Sequence, residues 1–245
     1  MSYSDFHIHS TFSDGKNTPE EIILSAIEKG MDTIGFSDHS YTFFDESYCI
    51  SKENLQNYQN EIRALAQKYK GKIKVLCGIE QDLYSEEPTN DYDYIIGSVH
   101  YIKINNDYIP VDESPETLKA AAKKYFDGDM LSLAEEYFKT VSLVVEKTNC
   151  DIIGHFDLIT KFNEGNKLFD ENSPRYRKAA TDAVMALLKF NRKFEINTGA
   201  ISRGYRTAPY PSKEILELIL SNNGKVILSS DSHNKDTLCY CFDNL

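Results

Sequence analysis

The sequence lacks the features of membrane, secreted and disulfide-stapled proteins. No apolar run approaches the length of about 18 residues that a membrane-spanning helix requires, and no apolar stretch near the amino terminus resembles a signal peptide. The five cysteines are scattered and odd in number, and Cys239 and Cys241 have no second cysteine pair that would complete a zinc site. We therefore expect a cytoplasmic protein with free thiols and no membrane partner.

Basic residues are also in deficit. The 245 residues include 27 Lys and Arg against 38 Asp and Glu, which gives a formal net charge of -11. Affinity for a phosphate backbone comes from Lys and Arg, so this balance argues against nucleic acid as a partner. It does not exclude a small anionic substrate, because metal ions and a few local cations can reverse the sign of the potential inside a pocket.

Short apolar runs alternate with helical patterns along the whole chain. The first helix, residues 18–30, has Thr18 as its N-cap, Pro19 in its first turn and Gly30 as its stop. Further helices are predicted over residues 52–70, 116–125, 131–148 and 174–190, and from Ser212 onward. Strands are predicted over residues 3–9, 32–39, 72–83, 92–102, 150–155, 193–199 and 225–233. This alternation predicts an α/β fold with parallel strands, as a barrel or a doubly wound sheet, in one domain of residues 1–245.

Histidine is scarce but its placement is not random. Each of the six histidines lies at the carboxyl end of a predicted strand: His7, His9, His39, His100, His155 and His233. A single histidine of this kind is more often structural than functional. Six together indicate a site, because the carboxyl ends of parallel strands form one face, which carries the active site in such folds.

Residue spacing within the first and last strands suggests metal ligation. Residues two apart on a strand point to the same side, so His7 and His9 can reach one ion. Asp231 and His233 repeat that spacing in the last strand, which would be the neighbour of the first in a closed barrel.

Carboxylates accompany the histidines. Glu80 lies in an apolar strand, where an unpaired buried carboxylate would be costly and a metal ion would make its burial favourable. Asp14 and Asp38 have the alternative roles of capping a helix or orienting a neighbouring histidine. Nitrogen and oxygen donors without a nearby thiolate suit Zn²⁺, Mn²⁺ or Fe²⁺, and their number exceeds the need of one ion, so we expect two or three metal ions.

These motifs, in this order, resemble the PHP family, named for polymerase and histidinol phosphatase. The similar segments are HIH at residues 7–9, SDHS at 37–40, GIE at 78–80, GSVH at 97–100 and SDSH at 230–233. Within the family, the segments DFHIHSTFSDG, YIIGSVHYI, GHFDLI and EINTGA most resemble the stand-alone histidinol-phosphate phosphatases. The resemblance covers residues 5–233 and implies a distorted, TIM-like barrel of seven βα units with its metal site at the carboxyl ends of the strands.

The resemblance also implies a ligand set. By similarity, one ion would be held by His7, His9, Glu80 and Asp231, a second by Glu80, His100 and His155, and a third by Asp14, His39 and His233. The implied catalytic residues are Asp231, Glu80 and His233. Asp231 would orient the attacking hydroxide or take its proton, and the sequence does not separate these two roles.

The activity implied by the resemblance is hydrolysis of a phosphomonoester, with L-histidinol phosphate as the expected substrate. A hydroxide that bridges two metal ions would attack phosphorus in line. Another PHP phosphoesterase activity, on a different phosphomonoester or a nucleotide phosphodiester, is the main alternative. A catalytically silent metal-binding domain would lack some of the ligands, and here the full set is present. An amidohydrolase-like barrel would have a metal-bridging lysine at a strand end, and the sequence offers no convincing one.

Cations are expected around the substrate phosphate. Arg203 and Arg206 lie in a loop just after the sixth predicted strand, and Lys161 follows GHFDLIT. Loops after the late strands of such barrels often bind phosphate, so we expect these three residues to bind substrate. The competing interpretation is a solvated basic loop. PHP proteins often carry an arginine near the position of Thr160, where this sequence has none.

Overall fold

The structure is a computed structural model that describes residues 3–244. Its strands are β1 (Ser4–Asp5), β2 (Thr33–Phe36), β3 (Lys74–Asp82), β4 (Tyr94–Ser98), β5 (Tyr101–Ile104), β6 (Asp107–Pro110), β7 (Ile152–Ile153), β8 (Lys193–Asn197) and β9 (Lys225–Ser229). A seven-stranded parallel sheet has the order β1-β2-β3-β4-β7-β8-β9, and β5 and β6 form a separate antiparallel hairpin.

The seven-stranded sheet closes at its carboxyl-terminal end. Beyond the bounds of β1 and β9, Ile8 and Ser232 form a parallel bridge. In this bridge the His9 N–H donates to the Ser232 carbonyl at 2.9 Å, and the Ser232 N–H donates to the His7 carbonyl at 3.0 Å. The predicted distorted barrel is therefore confirmed, and its point of closure lies among the predicted metal ligands.

Helices cover the outside of the barrel. They are α1 (Pro19–Glu28), α2 (Leu55–Lys68), α3 (Pro115–Phe126), α4 (Met130–Val141), α5 (Val144–Thr148), α6 (Pro174–Leu188), α7 (Gly199–Ser202) and α8 (Lys213–Ser221). Helix α1 begins as predicted, because the Thr18 hydroxyl and the Glu21 carboxylate each accept the other's backbone N–H in a capping box. Among residues 3–244, none of the helices has both the length and the hydropathy of a membrane span.

Tyr94 is the largest buried side chain of a small apolar cluster inside the barrel, which also contains Ile96 and Ile152. Its hydroxyl lies 2.6 Å from the Phe6 carbonyl and 3.0 Å from the Phe36 carbonyl, so it links β4 to the first two strands. Gly35 and Gly78 leave the space for its ring, because a Cβ at either position would lie within 3 Å of ring atoms. Larger apolar cores lie outside the barrel, between the strands and the surrounding helices.

Most predicted strands are shorter in the structure, and two predicted elements are each divided into two. The strand predicted over residues 92–102 ends at Ser98, and the chain turns at Asn105, which has a φ of 58°, to form the β5–β6 hairpin. The helix predicted over residues 131–148 is divided into α4 and α5. At the break, the Ser142 hydroxyl donates to the Lys139 carbonyl at 2.7 Å, a local bond that competes with helix continuation.

Candidate metal centre

All six histidines lie on the carboxyl-terminal face of the barrel. Their rings form a continuous group, with centroid distances of 4.1 Å between His9 and His233, 5.1 Å between His39 and His100, and 4.9 Å between His100 and His155. The strand topology explains this, because each histidine follows or ends one of the parallel strands or the closing bridge between them. The structure thus brings the predicted residues into one site.

Glu80 occupies the middle of this group and is fully buried. Its Oε1 lies 3.0 Å from His155 Nε2 and 3.5 Å from His100 Nε2, and it accepts a hydrogen bond from the Ser98 hydroxyl at 2.6 Å. Its Oε2 lies 2.8 Å from His39 Nδ1 and 3.3 Å from His7 Nε2. Burial by itself would raise the pKa of Glu80, but the surrounding histidines, His7 foremost, hold that pKa well below its ordinary value.

Asp231 approaches His9 Nε2, the same ring nitrogen that Glu80 Oε2 approaches at 3.6 Å. Its Oδ1 lies 3.4 Å from His9 Nε2 and 3.5 Å from His233 Nδ1. Arg203 Nη2 pairs with Asp231 Oδ2 at 3.0 Å. Burial opposes ionisation of Asp231, and the Arg203 guanidinium is the main cause that holds its pKa well below the ordinary value.

Asp14 lies at the solvent side of the centre, with about a third of its side chain exposed. Its Oδ2 is 3.2 Å from His233 Nε2, and its Oδ1 is 3.7 Å from His39 Nε2 and 3.8 Å from His9 Nδ1. Burial alone would raise its pKa, and His39 and His233 hold it below the ordinary value. This is the most open part of the ligand cluster.

The donor atoms form four overlapping groups in which all atoms lie within 4.8 Å of one another. These groups are His9, Asp14, His39 and His233; His7, Glu80 and His155; His7, His9 and Asp231; and His39, Glu80 and His100. The nine predicted ligands all belong to at least one group. Four residues each belong to two groups and so join neighbouring parts of the cluster: His7, His9, His39 and Glu80.

Unpartnered polar atoms test whether these residues fit metal ions. Within residues 3–244, the buried atoms without a hydrogen-bond partner include His7 Nε2, both ring nitrogens of His9, Glu80 Oε2, His100 Nδ1 and His155 Nδ1. Buried polar groups are almost always paired, so such a concentration requires another partner. Imidazole nitrogens and carboxylate oxygens are suitable ligands for divalent transition-metal ions, and the residues therefore fit such ions.

Glu195 contacts two of the predicted ligands, His7 and His155, on the side away from the other ligands. It was not identified from the sequence. Its Oε1 lies 2.5 Å from His7 Nδ1, and its Oε2 accepts hydrogen bonds from the His155 backbone N–H at 2.9 Å and from Asn197 Nδ2 at 3.0 Å. A weaker signal was available, because Glu195 lies between Phe194 and Ile196 in strand β8, whereas Glu80 follows a longer apolar run in β3.

Asp38 does not cap a helix or contact a histidine ring. Its carboxylate accepts hydrogen bonds from the backbone and hydroxyl groups of Ser10 and Ser13, at distances between 2.6 and 3.1 Å. It therefore fixes the turn that carries Asp14 into the site.

A cavity of about 370 Å³ opens above the ligands. Arg203 and Lys161, two of the predicted substrate-binding residues, line it together with Tyr48, Tyr101 and Asp112. Lys161 Nζ is held by the Asp112 carboxylate at 3.1 Å and by the Asp112 carbonyl at 2.8 Å. The cavity thus combines two cations with aromatic and acidic groups.

Arg206, the third predicted substrate-binding residue, lies outside this cavity. Its Nη1 donates to the Thr160 hydroxyl, and its guanidinium lies 4.7 Å from the centre of the Tyr210 ring. It lines a different cavity, so the structure does not place it with Arg203 and Lys161. The sequence could not separate the two arginines, because neighbouring residues of one loop can face opposite sides.

A parallel barrel with clustered histidines and carboxylates at the carboxyl ends of its strands is the architecture of a metal-dependent hydrolase. Residues 5–199 match the family model described as the PHP domain, and the chain belongs to the PHP family. The resemblance found in the sequence is therefore confirmed.

One relative and two solved structures that resemble this chain are named as histidinol phosphatases. A Schizosaccharomyces pombe protein named as a probable histidinol-phosphatase is 30% identical over 87% of this chain and 74% of its own length. A Listeria monocytogenes structure, named as a candidate histidinol phosphatase, superposes with a TM-score of 0.84 at 18% identity and covers 99% of both chains. A Lactococcus lactis histidinol phosphate phosphatase, complexed with zinc, L-histidinol and phosphate, superposes with a TM-score of 0.69 at 24% identity over 95% of this chain and 86% of that chain.

Proposed function

We propose that this chain is a metal-dependent phosphomonoester hydrolase whose substrate is L-histidinol phosphate. The observation that carries this proposal is the placement of Arg203 and Lys161 in the cavity that opens onto the histidine and carboxylate cluster. The names of the relatives, and the L-histidinol and phosphate in the Lactococcus lactis complex, support the choice of substrate. The five free cysteines of this chain suit a reducing cytoplasm, and we place the protein there.

We assign the cluster two or three divalent ions, either Zn²⁺, Mn²⁺ or Fe²⁺. The residues that would hold them are His7, His9, Asp14, His39, Glu80, His100, His155, Asp231 and His233. When bound, such ions supply Lewis acidity and lower the pKa of water, which yields a nucleophile at neutral pH.

Arg203 is the residue best placed to bind the phosphoryl group. Its planar guanidinium matches phosphate geometry, and Asp231 fixes its position through contacts at 3.0 and 3.2 Å while part of the side chain stays exposed to the cavity. Asp231 Oδ1 lies between His9 and His233. From this position it can orient the nucleophile or accept its proton.

The lining of the metal cavity also contains groups that suit a cationic leaving group. Tyr48 and Tyr101 line it, together with the carboxylates of Asp45 and Glu113 and that of Asp112, which pairs with Lys161. L-Histidinol carries an amine and an imidazole, and such groups bind to aromatic faces and carboxylates. These carboxylates disfavour a nucleotide phosphodiester, so we favour a small phosphomonoester over a nucleic-acid substrate.

The experiment that tests the proposal is phosphate release from L-histidinol phosphate and from a panel of phosphomonoesters whose alcohol parts carry no charge, on protein of measured metal content. We expect a strong preference for L-histidinol phosphate, with activity lost on chelation and in His9→Ala. Equal turnover across the panel would refute the substrate assignment and leave the metal-dependent phosphatase. Absence of phosphate release from every substrate by fully loaded protein would refute both.

A further inference from the structure

A second cavity, of about 690 Å³, lies between helix α6, the start of helix α8 and the loops before them. None of the residues that line it also lines the metal cavity. Its volume is within the range of small-molecule binding sites, which is about 300–1,000 Å³. The proposed phosphatase activity gives this cavity no role.

Arg206 in the wall of this cavity is a buried cation without an ion pair. It is only 8% exposed, and within residues 3–244 no carboxylate oxygen pairs with its guanidinium at 4.0 Å or less. The Thr160 hydroxyl and the Tyr210 ring are its contacts, and its Nε has no hydrogen-bond partner. The buried Asp157, whose Oδ2 accepts the Ser212 N–H at 2.8 Å, supplies most of the nearby negative charge, but it is not within ion-pair distance of Arg206. A buried charge is normally paired directly because its desolvation is costly, so the unpartnered Nε of Arg206 favours a bound oxyanion.

Two other features of the same cavity attract an anion. Tyr176, which is 3% exposed, lines the cavity and its hydroxyl also lacks a partner in the described part of the chain. The first turn of α8, including Lys213 and Ile215, forms another part of the wall. The amino-terminal end of a helix carries partial positive charge and unpaired N–H groups, which favour bound anions.

The acids of the cavity limit the charge of its occupant. Glu164, Glu171 and Glu214 belong to the same lining and would repel a polyanion. We propose that this cavity binds a small molecule with a single carboxylate or phosphate group and that Arg206 holds the oxyanion. This inference goes beyond the proposed phosphatase activity and does not depend on it.

The second cavity is connected to the metal cavity through two short segments. Arg206 is three residues from Arg203, and its partner Thr160 is adjacent to Lys161. Binding at Arg206 would therefore act on the two segments that carry the cations of the metal cavity. We expect the ligand to change the KM for phosphomonoesters.

The first test is crystallographic and uses selenate as a probe of oxyanion binding. Crystals of the metal-loaded protein soaked in selenate should show anomalous density beside Arg206, and crystals of Arg206→Met should lose that density while keeping any density in the metal cavity. Density in the metal cavity alone, or only a water molecule that bridges Arg206 and Asp157, would overturn the proposal.

The second test measures binding in solution by calorimetry with small monocarboxylates and monophosphates, which distinguishes the two sources of the oxyanion. Thr181→Phe fills the cavity from α6 without touching Arg206 or the metal cluster, so it remains informative if Arg206→Met does not fold. We expect binding to weaken at least about tenfold in either variant, with unchanged basal turnover in Thr181→Phe. Equal affinities in the wild type and in Thr181→Phe, or no binding by any compound, would refute the site.

Discussion

Glu195 Oε1 lies 2.5 Å from His7 Nδ1, and both side chains are fully buried. A carboxylate at this position requires the proton of the neutral imidazole on Nδ1, which leaves the lone pair of Nε2 free for a metal ion. That Nε2 lies 3.3 Å from Glu80 Oε2, in the centre of the ligand cluster. Glu195 therefore selects the tautomer and orientation of His7 without itself reaching the cavity.

Replacement of Glu195 by glutamine should weaken metal binding while the barrel remains folded. The amide would keep the size of the side chain but would lose the charge that fixes the His7 tautomer. Residues that orient metal ligands typically change affinity about ten- to a hundredfold, and we expect a loss of that size. Competition with a chromophoric chelator measures it, and circular dichroism reports the fold.

The matched control for this change is Glu217→Gln, which alters an exposed glutamate on α8 far from the cluster. It should leave metal affinity unchanged. Equal metal affinity of Glu195→Gln and Glu217→Gln would show that Glu195 has no positioning role.

Asp14→Asn should remove one metal ion and leave the others bound. Asp14 belongs only to the group with His9, His39 and His233, and it is the most exposed ligand of that group. Glu80, in contrast, lies within 3.6 Å of five histidines. We therefore expect the metal-to-protein ratio to fall by one in Asp14→Asn and by more than one in Glu80→Gln.

Elemental analysis by mass spectrometry after gel filtration gives this ratio directly. Asp91→Asn, at an exposed position, serves as the control and should retain the full metal content. A loss of all metal in Asp14→Asn would contradict the assignment of Asp14 to a separate, outer ion.

The barrel and the histidine cluster could be predicted because they follow from chain topology. Parallel strands connected by helices place their carboxyl ends on one face, so the positions of His39, His100 and His155 after three strands are enough to bring them together. Contact between the His7/His9 pair and the Asp231/His233 pair required one further assumption, that the first and last strands meet. The bridge between Ile8 and Ser232 supplies that contact.

The hairpin and the separation of the two arginines could not be predicted in this way. The apolar pattern continues through Ser98 into Tyr101, and only the local geometry of the chain ends β4 and starts the hairpin. Arg203 and Arg206 occupy the same short loop, and their directions depend on which partners pack beside them, Asp231 for one and Tyr210 for the other. Such side-chain directions are tertiary properties that sequence spacing does not contain.

Arg203→Ala should weaken phosphate binding. The guanidinium is partly exposed to the metal cavity and is held by Asp231, so its loss removes a positioned, charge-assisted donor. We expect inorganic phosphate to inhibit the variant at least about tenfold less strongly than the wild type, since hydrogen bonds to charged groups contribute about 1.5–3 kcal/mol. The inhibition constant, measured at full metal loading, is the readout.

The control for Arg203→Ala is Arg192→Ala, which removes a surface arginine paired with Asp151 at the other end of the barrel strands. It should leave phosphate inhibition unchanged. If Arg203→Ala retains the wild-type inhibition constant, Arg203 serves only to hold Asp231.

Gly78→Ala should destabilise the barrel through a clash with Tyr94. A Cβ at residue 78 would lie 2.3–2.8 Å from three atoms of the Tyr94 ring, which is fixed by its hydrogen bond to the Phe6 carbonyl. Overpacking of this kind costs about 1–3 kcal/mol, and urea unfolding measures it. In a Tyr94→Leu background the same Gly78→Ala change should cost less, because the ring is absent. An equal cost in both backgrounds would contradict the clash.

The five thiols should differ in reactivity, which depends on pH through the thiolate form. Burial raises the pKa of Cys77 to about 12 and that of Cys150 to about 11. A raised thiol pKa leaves the neutral, unreactive form dominant below that value, so both residues should resist iodoacetamide in the folded protein at pH 8. The more accessible Cys241 should be modified first, and all five cysteines should react in guanidinium chloride. Peptide mass spectrometry gives the extent of modification at each cysteine. If Cys77 in the folded protein is labelled as fast as Cys241, β3 does not pack against α2 as the structure describes.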